Sequence, residues 1–176
     1  MDTAVTPTVI EADTRSVVGL AHRPDGTTLY AARFERGPRS WTTRGWLPGL
    51  DYDTPGANGI ALSGDSSKLA VAATDRTAQV LDAGTGTLIA AIPHPEAVTA
   101  VGLDRSGHRI VTTCLDGRVR LITLDGEELY AFMPTEGPLA VVAVSTDRRR
   151  FAVGGLGGDV AVFDLDSGDR RALLST

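Results

Sequence analysis

Short apolar runs alternate with polar, glycine-bearing turns along the whole chain, and the runs return at a fixed interval. One run begins Val17-Val18-Gly19-Leu20-Ala21-His22 and closes in Arg23-Pro24-Asp25-Gly26. The same outline returns at Ala57-Asn58-Gly59-Ile60-Ala61-Leu62, at Val98-Thr99-Ala100-Val101-Gly102-Leu103 and at Leu139-Ala140-Val141-Val142-Ala143-Val144. Anchored on Leu20, Ile60, Val101 and Val142, the steps are 40, 41 and 41 residues. A second apolar anchor follows at one offset in each copy (Leu29, Leu69, Ile110, Phe151), and a third twelve residues later (Trp41, Leu81, Ile122, Phe163). Three anchors in register over four copies define an internal repeat, and a period of about 40–45 residues is that of a propeller blade.

Within each copy the pattern predicts strand, turn, strand. The second runs are Lys68 to Ala73, Arg109 to Cys114 and Arg150 to Gly154, and tight turns such as Thr74-Asp75-Arg76 and Leu115-Asp116-Gly117 follow them. A third run alternates in polarity, as in Val119-Arg120-Leu121-Ile122, and a polar turn such as Asp82-Ala83-Gly84-Thr85-Gly86 leads to a short fourth strand. Gly and Asp supply turn conformations and β-branched residues fill the pleats. No segment sustains a helical period, so the chain reads as all-β. The repeats fall at about residues 12–52, 53–93, 94–134 and 135–176, in one domain, with residues 5–11 as an extra blade strand.

These residues resemble the WD40-repeat family over nearly the whole chain. The family's Ser-Pro-Asp-Gly corner survives as Arg23-Pro24-Asp25-Gly26, and its turn aspartate as Asp75 and Asp116, with Glu35 and Gly157 in the first and last copies. Its closing Trp-Asp appears as Trp41-Thr42, Leu81-Asp82, Ile122-Thr123 and Phe163-Asp164. Only the third copy carries the residues for something like the family's His–Thr–Asp network, His94, Thr112 and Asp116. The resemblance implies a β-propeller of four four-stranded blades. Rings in this family commonly have seven or eight, so the expectation is a pair of chains completing an eight-bladed ring. A closed four-bladed monomer and a split half of a larger propeller are the alternatives.

Charge and composition narrow the function. A net charge of −5 and a pI near 5.1 argue against an extended nucleic-acid surface, which needs clustered Lys and Arg. The single Cys114 excludes an intrachain disulfide framework. No apolar run approaches the roughly 18–20 residues of a membrane span, and residues 1–7 lack the basic start and apolar stretch of a secretory leader. The expectation is a cytoplasmic protein, and sixteen Arg against the single Lys68 suggest a GC-rich bacterial source.

The first repeat concentrates five of the nine aromatics (Tyr30, Phe34, Trp41, Trp46, Tyr52), interleaved with Arg33, Arg36, Arg39 and Arg44. Arg and Trp dominate binding hot spots. Arg33, Phe34, Arg36, Arg39, Arg44, Trp46 and Tyr52 are therefore the candidate partner or ligand surface, against a plain reading in which Trp41 closes a blade, Trp46 packs in the next strand and the arginines are solvated. Trp41, Asp75, His94, Thr112, Asp116 and Asp164 are the candidate structural network. Gly154-Gly155-Leu156-Gly157-Gly158 has the composition of a phosphate loop but no following helix, Lys or hydroxyl residue, and reads as a hairpin turn. Asp164-Leu165-Asp166-Ser167-Gly168-Asp169 spaces carboxylates as a calcium loop would, yet sits at the closing-aspartate turn. His22 is expected buried in a strand slot, His94 at a corner and His108 in an exposed turn; no cofactor or metal is implied. A Cys114–His94 nucleophile–base pair is conceivable, but no spacing requires it. A non-enzymatic protein-interaction scaffold leads, with an unidentified protein partner and a homodimer expected. The alternative is an enzyme or small-ligand binder with its site in the central funnel, near Glu35, Asp75 and Asp116.

Overall fold

The computed structural model describes residues 16–175, and the strand expected over residues 5–11 lies outside them. Sixteen strands run in chain order. The first four are β1 (Val17–His22), β2 (Thr28–Arg33), β3 (Arg36–Thr42) and β4 (Pro48–Asp51). The next are β5 (Ala57–Leu62), β6 (Lys68–Ala73), β7 (Thr77–Asp82) and β8 (Leu88–Pro93). The third group is β9 (Val98–Leu103), β10 (Arg109–Cys114), β11 (Val119–Thr123) and β12 (Glu128–Phe132). The last is β13 (Leu139–Val144), β14 (Arg150–Gly155), β15 (Val160–Asp164) and β16 (Arg170–Leu174). Each group forms its own four-stranded antiparallel sheet in simple up-and-down order. No helix occurs among the described residues, and none is available to cross a membrane.

The repeat extends to irregularities of register. A β-bulge interrupts the pairing of the first two strands of every sheet, at Val17/Gly19, Ala57/Gly59, Thr113/Cys114 and Leu139/Val141. A second bulge interrupts the third and fourth strands of every sheet, at Arg39/Trp41, Val80/Leu81, Leu121/Ile122 and Val162/Phe163. A bulge increases local twist, so each sheet is twisted at the same two places.

The sheets stack in sequence order through their first strands, β1 on β5, β5 on β9 and β9 on β13. Residues of these four strands, including the anchors Leu20, Ile60, Val101 and Val142, share the lining of a hollow of about 240 Å³. Three core clusters fill the junctions. Between the first and second sheets lie Tyr30, Ala32, Leu69, Val71 and Leu81. Between the second and third, the small Ala70, Ala72 and Ala78 leave room for Ile110 and Ile122. Between the third and fourth lie Val111, Leu121, Phe151 and Phe163. Burying each large apolar side chain contributes roughly 1.5–3 kcal/mol, so stacking, rather than any one sheet, holds the chain together.

Alternate residues of each sheet face forward or back along this row. The back-facing set of the later sheets begins Ala57, Ile60, Leu62 and Leu69, then Val98, Val101, Leu103 and Ile110, all packed against the sheet before. Their counterparts in the first sheet are Val17, Leu20, His22 and Leu29. Here Leu20 is 64% and Val17 47% exposed. His22, expected in the core, is also exposed, because this first face has no described sheet behind it; its Nδ1 bonds the carbonyl of Arg23 at 2.8 Å. Among the described residues, no comparable packing joins β13 back to β1.

Candidate functional site

One rim of the row is built from two kinds of segment in alternation, the second turn of each sheet and the loops that join sheets. Backbone hydrogen bonds tie them together: Thr74 N to the Gly56 carbonyl, His94 N to Arg76, Leu115 N to Ala97 and Leu156 N to Pro138. Phe34 lies so close to the loop at Gly56 that a Cβ on that glycine would strike the Phe34 carbonyl. Gly37 is equally constrained, since a Cβ there would strike the carbonyl of Tyr52.

Along this rim the first residue of each second turn is Phe34, Thr74, Leu115 and Leu156. Three of them are large, apolar and open to solvent: Phe34 at 50%, Leu115 at 50% and Leu156 at 78%. Met133, in the loop between the third and fourth sheets, adds a side chain 61% exposed. Leu115, Met133 and Leu156 did not stand out in the sequence. The usable signal was phase, because Leu115 and Leu156 occupy the repeat position that Phe34 occupies in the first copy.

Beside Phe34 the rim opens into a cleft of about 480 Å³ lined by Arg33, Glu35, Arg36, Arg39, Asp51 and Asp53, among others. Arg33 is almost wholly buried; its Nε donates to the Gly37 carbonyl at 2.8 Å and its Nη2 to Asp51 at 2.5 Å. Arg39 lies 3.8 Å from the other Asp51 oxygen and stands over the Trp41 ring, 5.7 Å from its centroid. Its Nε is buried with no hydrogen-bond partner. Arg36 is exposed at the mouth. Three guanidinium groups facing three carboxylates make a mixed-charge groove suited to polar recognition, with no nucleophile–base pair among the side chains named.

Tyr52 also borders the cleft, but its side chain turns inward, and Trp41, Arg44 and Trp46 lie elsewhere. Tyr52 is 3% exposed in the junction with the second sheet, where its hydroxyl donates to the Ala83 carbonyl at 2.6 Å. Burial first, then the neighbouring Tyr30, pushes its phenol well above the ordinary value. Arg44 and Trp46 lie past the far end of β3, some 20 Å from Arg36 at about 3.3 Å per residue. Trp46 does not pack in β4; it occupies the turn before it, 37% exposed with φ +54°. Trp41 is buried at 3%.

In the third sheet His94 Nε2 lies 2.8 Å from the Thr112 hydroxyl, while Nδ1 lies 3.0 Å from the Ile92 carbonyl. A carbonyl only accepts, so Nδ1 carries the proton and Thr112 donates to Nε2. Burial holds the His94 pKa below its ordinary value. Both ring nitrogens are occupied, so this imidazole is not a free base for Cys114, whose thiol is itself pushed up by burial. Asp116 gives its carboxylate to Arg120 at 2.5 Å and to the Arg118 amide at 3.0 Å. Asp75 likewise serves its own turn, accepting from the Thr77 amide and hydroxyl. Asp164 accepts from the amides of Asp166 and Ser167 and from Arg171. Gly157 and Gly158 form the β14–β15 turn, with Gly158 at φ +89°. His108 is exposed and Cys114 buried. Among the described residues no three His, Cys, Asp or Glu side chains gather as metal ligands.

Comparison with known families shows that the family model WD domain, G-beta repeat, fits residues 86–123. That stretch runs from just before β8 through β9 and β10 to the end of β11. The chain therefore carries a WD40 repeat, and the repeat unit straddles two sheets, the last strand of one and the first three of the next. No curated protein matches the chain.

Proposed function

We propose that this WD40-repeat chain is a non-enzymatic platform for a protein partner, which docks on the rim bearing Phe34, Leu115, Met133 and Leu156. The observation that carries the reading is the periodic exposure of Phe34, Leu115 and Leu156 at one repeat position. Large apolar side chains held open on rigid turns are costly to solvate, and such patches mark interaction sites. The arginines and carboxylates of the neighbouring cleft supply the polar surround that gives an interface its register. Arg33, Arg36 and Arg39 belong to that surround, whereas Arg44 and Trp46 lie at the opposite end.

The test uses the whole chain as bait. Phe34→Asp, Leu115→Asp and Leu156→Asp together remove capture of the partner while thermal stability stays near that of the parent. Arg44→Ala with Trp46→Ala retains capture. Retention by the triple variant, or loss by the distal pair, overturns the reading.

A further inference from the structure

We propose that two copies of this chain join head to tail, the forward face of the fourth sheet covering the backward face of the first sheet in the second copy. The repeat itself carries the argument. Each internal junction sets the forward face of one sheet against the backward face of the next. Among the described residues the row ends with a forward face on the fourth sheet and a strip along β1 that no described sheet covers.

The forward face of the fourth sheet repeats the one that the second sheet buries. In the second sheet it is built from Ala61, Ala70, Ala78 and Val80, which pack against the third sheet. By strand position and pairing, their counterparts are Ala143, Ala152, Val160 and Val162. Ala78 is 0% exposed but its counterpart Val160 is 36% exposed, and Val141 beside it is 60% exposed. Val160 and Val141 are larger than their counterparts Ala78 and Gly59, and the face is as apolar as a buried junction but without the cover.

The other free face is the strip along β1. Ile60, Val101 and Val142 each pack in a junction, whereas Leu20, at the same position, is 64% exposed. The outer part of that face, at Trp41, is already buried, so the contact runs along the first strands, where the internal junctions are also densest. A second copy is thus the occupant whose surface is already seen, three times over, fitting this kind of face. The joint is heterologous, and such joints either close into rings or grow without limit. The four first strands border one hollow, so the row curves, and two copies close it.

Sedimentation equilibrium over a concentration series tests the pairing. The parent should weigh twice the 18.4 kDa of one chain. Val141→Glu with Val160→Glu spoils the forward face and Leu20→Glu the backward face. Each alone should weaken self-association by roughly a hundredfold or more, an effect of about 2.8 kcal/mol. Mixed together, the two variants should form a one-to-one pair, because one junction in that pair joins two intact faces. Should a glutamate variant fail to fold by circular dichroism, lysine at the same positions gives the same reading. A monomeric parent, a polydisperse polymer, variants that still pair alone, or a mixture that stays monomeric would each overturn the proposal. Val141 and Val160 lie at the rim end of the fourth sheet whereas Leu20 lies mid-strand, so retained partner capture by Leu20→Glu separates failure of the pairing from failure of the partner reading.

Discussion

Thr112 donates its hydroxyl hydrogen to His94 Nε2 at 2.8 Å, and both side chains are buried. The imidazole is held neutral, with burial keeping its pKa below the ordinary 6.5. Between that depressed value and about 6.5, the unfolded chain binds a proton that the folded chain refuses. Stability therefore falls as pH drops from 7.5 to 5.5. Urea unfolding at both pH values reads this, and His94→Asn should flatten the difference. Equal sensitivity in the variant would show that other groups govern the window.

Removing the other partner isolates the hydrogen bond. Thr112→Val keeps the shape but leaves His94 Nε2 buried and unpaired, at a cost of about 1–3 kcal/mol. Thermal unfolding of the variant at pH 7.5 measures it.

Gly37 and Gly84 offer a contrast in steric room. A Cβ on Gly37 meets the Tyr52 carbonyl, and backbone cannot yield as a side-chain tip can. Gly37→Ala should cost about 2–3 kcal/mol, as overpacking does. Gly84 is exposed and its nearest neighbour would be 3.5 Å away. Gly84→Ala should change stability by less than about 0.5 kcal/mol.

The two tryptophans should respond in opposite ways. Trp41 is 3% exposed, and Trp41→Ala should cost about 3–5 kcal/mol. Trp46 stands at φ +54° in a turn, where an L side chain is strained and glycine is not. Trp46→Gly should hold stability or raise it by up to about 1 kcal/mol. Denaturant midpoints for both variants check the pair.

Asp51 shields the buried Arg33 guanidinium but is itself 56% exposed. Solvent screens part of that attraction, so Asp51→Ala should cost about 1–2 kcal/mol, below the figure for a fully buried pair. Because half the bond faces water, the cost should shrink in high salt, which a denaturation series with added NaCl reads.

The strand plan was legible in the chain because each anchor serves a repeated packing role. Leu69, Ile110 and Phe151 fill the same slot in successive sheets, and burial enforces the same residue class at each. Leu20 and His22 escaped that logic, since sequence marks a position's class but not whether a neighbour stands behind it. The arginine-rich run misled in a related way. Strand β3 spreads it from one rim to the other, parting Arg36 from Arg44, while Tyr52 turns inward to Ala83. Contiguity in the chain is a poor guide to contiguity on a surface when a strand carries the residues end to end. Leu115 and Leu156 are far apart in sequence yet equivalent in space.

The bulges that recur between the third and fourth strands of every sheet bear on how this chain behaves at high concentration. Each sheet ends in an outermost strand, β4, β8, β12 or β16, with one row of backbone donors and acceptors unclaimed by any other described strand. A straight strand with such a row is a template for fibrils. Here each outer strand is wrung out of line beside its bulge, and prolines stand at the start of β4 (Pro48) and at the end of β8 (Pro93). Lateral growth by sheet extension is thereby obstructed, and crowding should leave the protein dispersed instead of seeding cross-β aggregates.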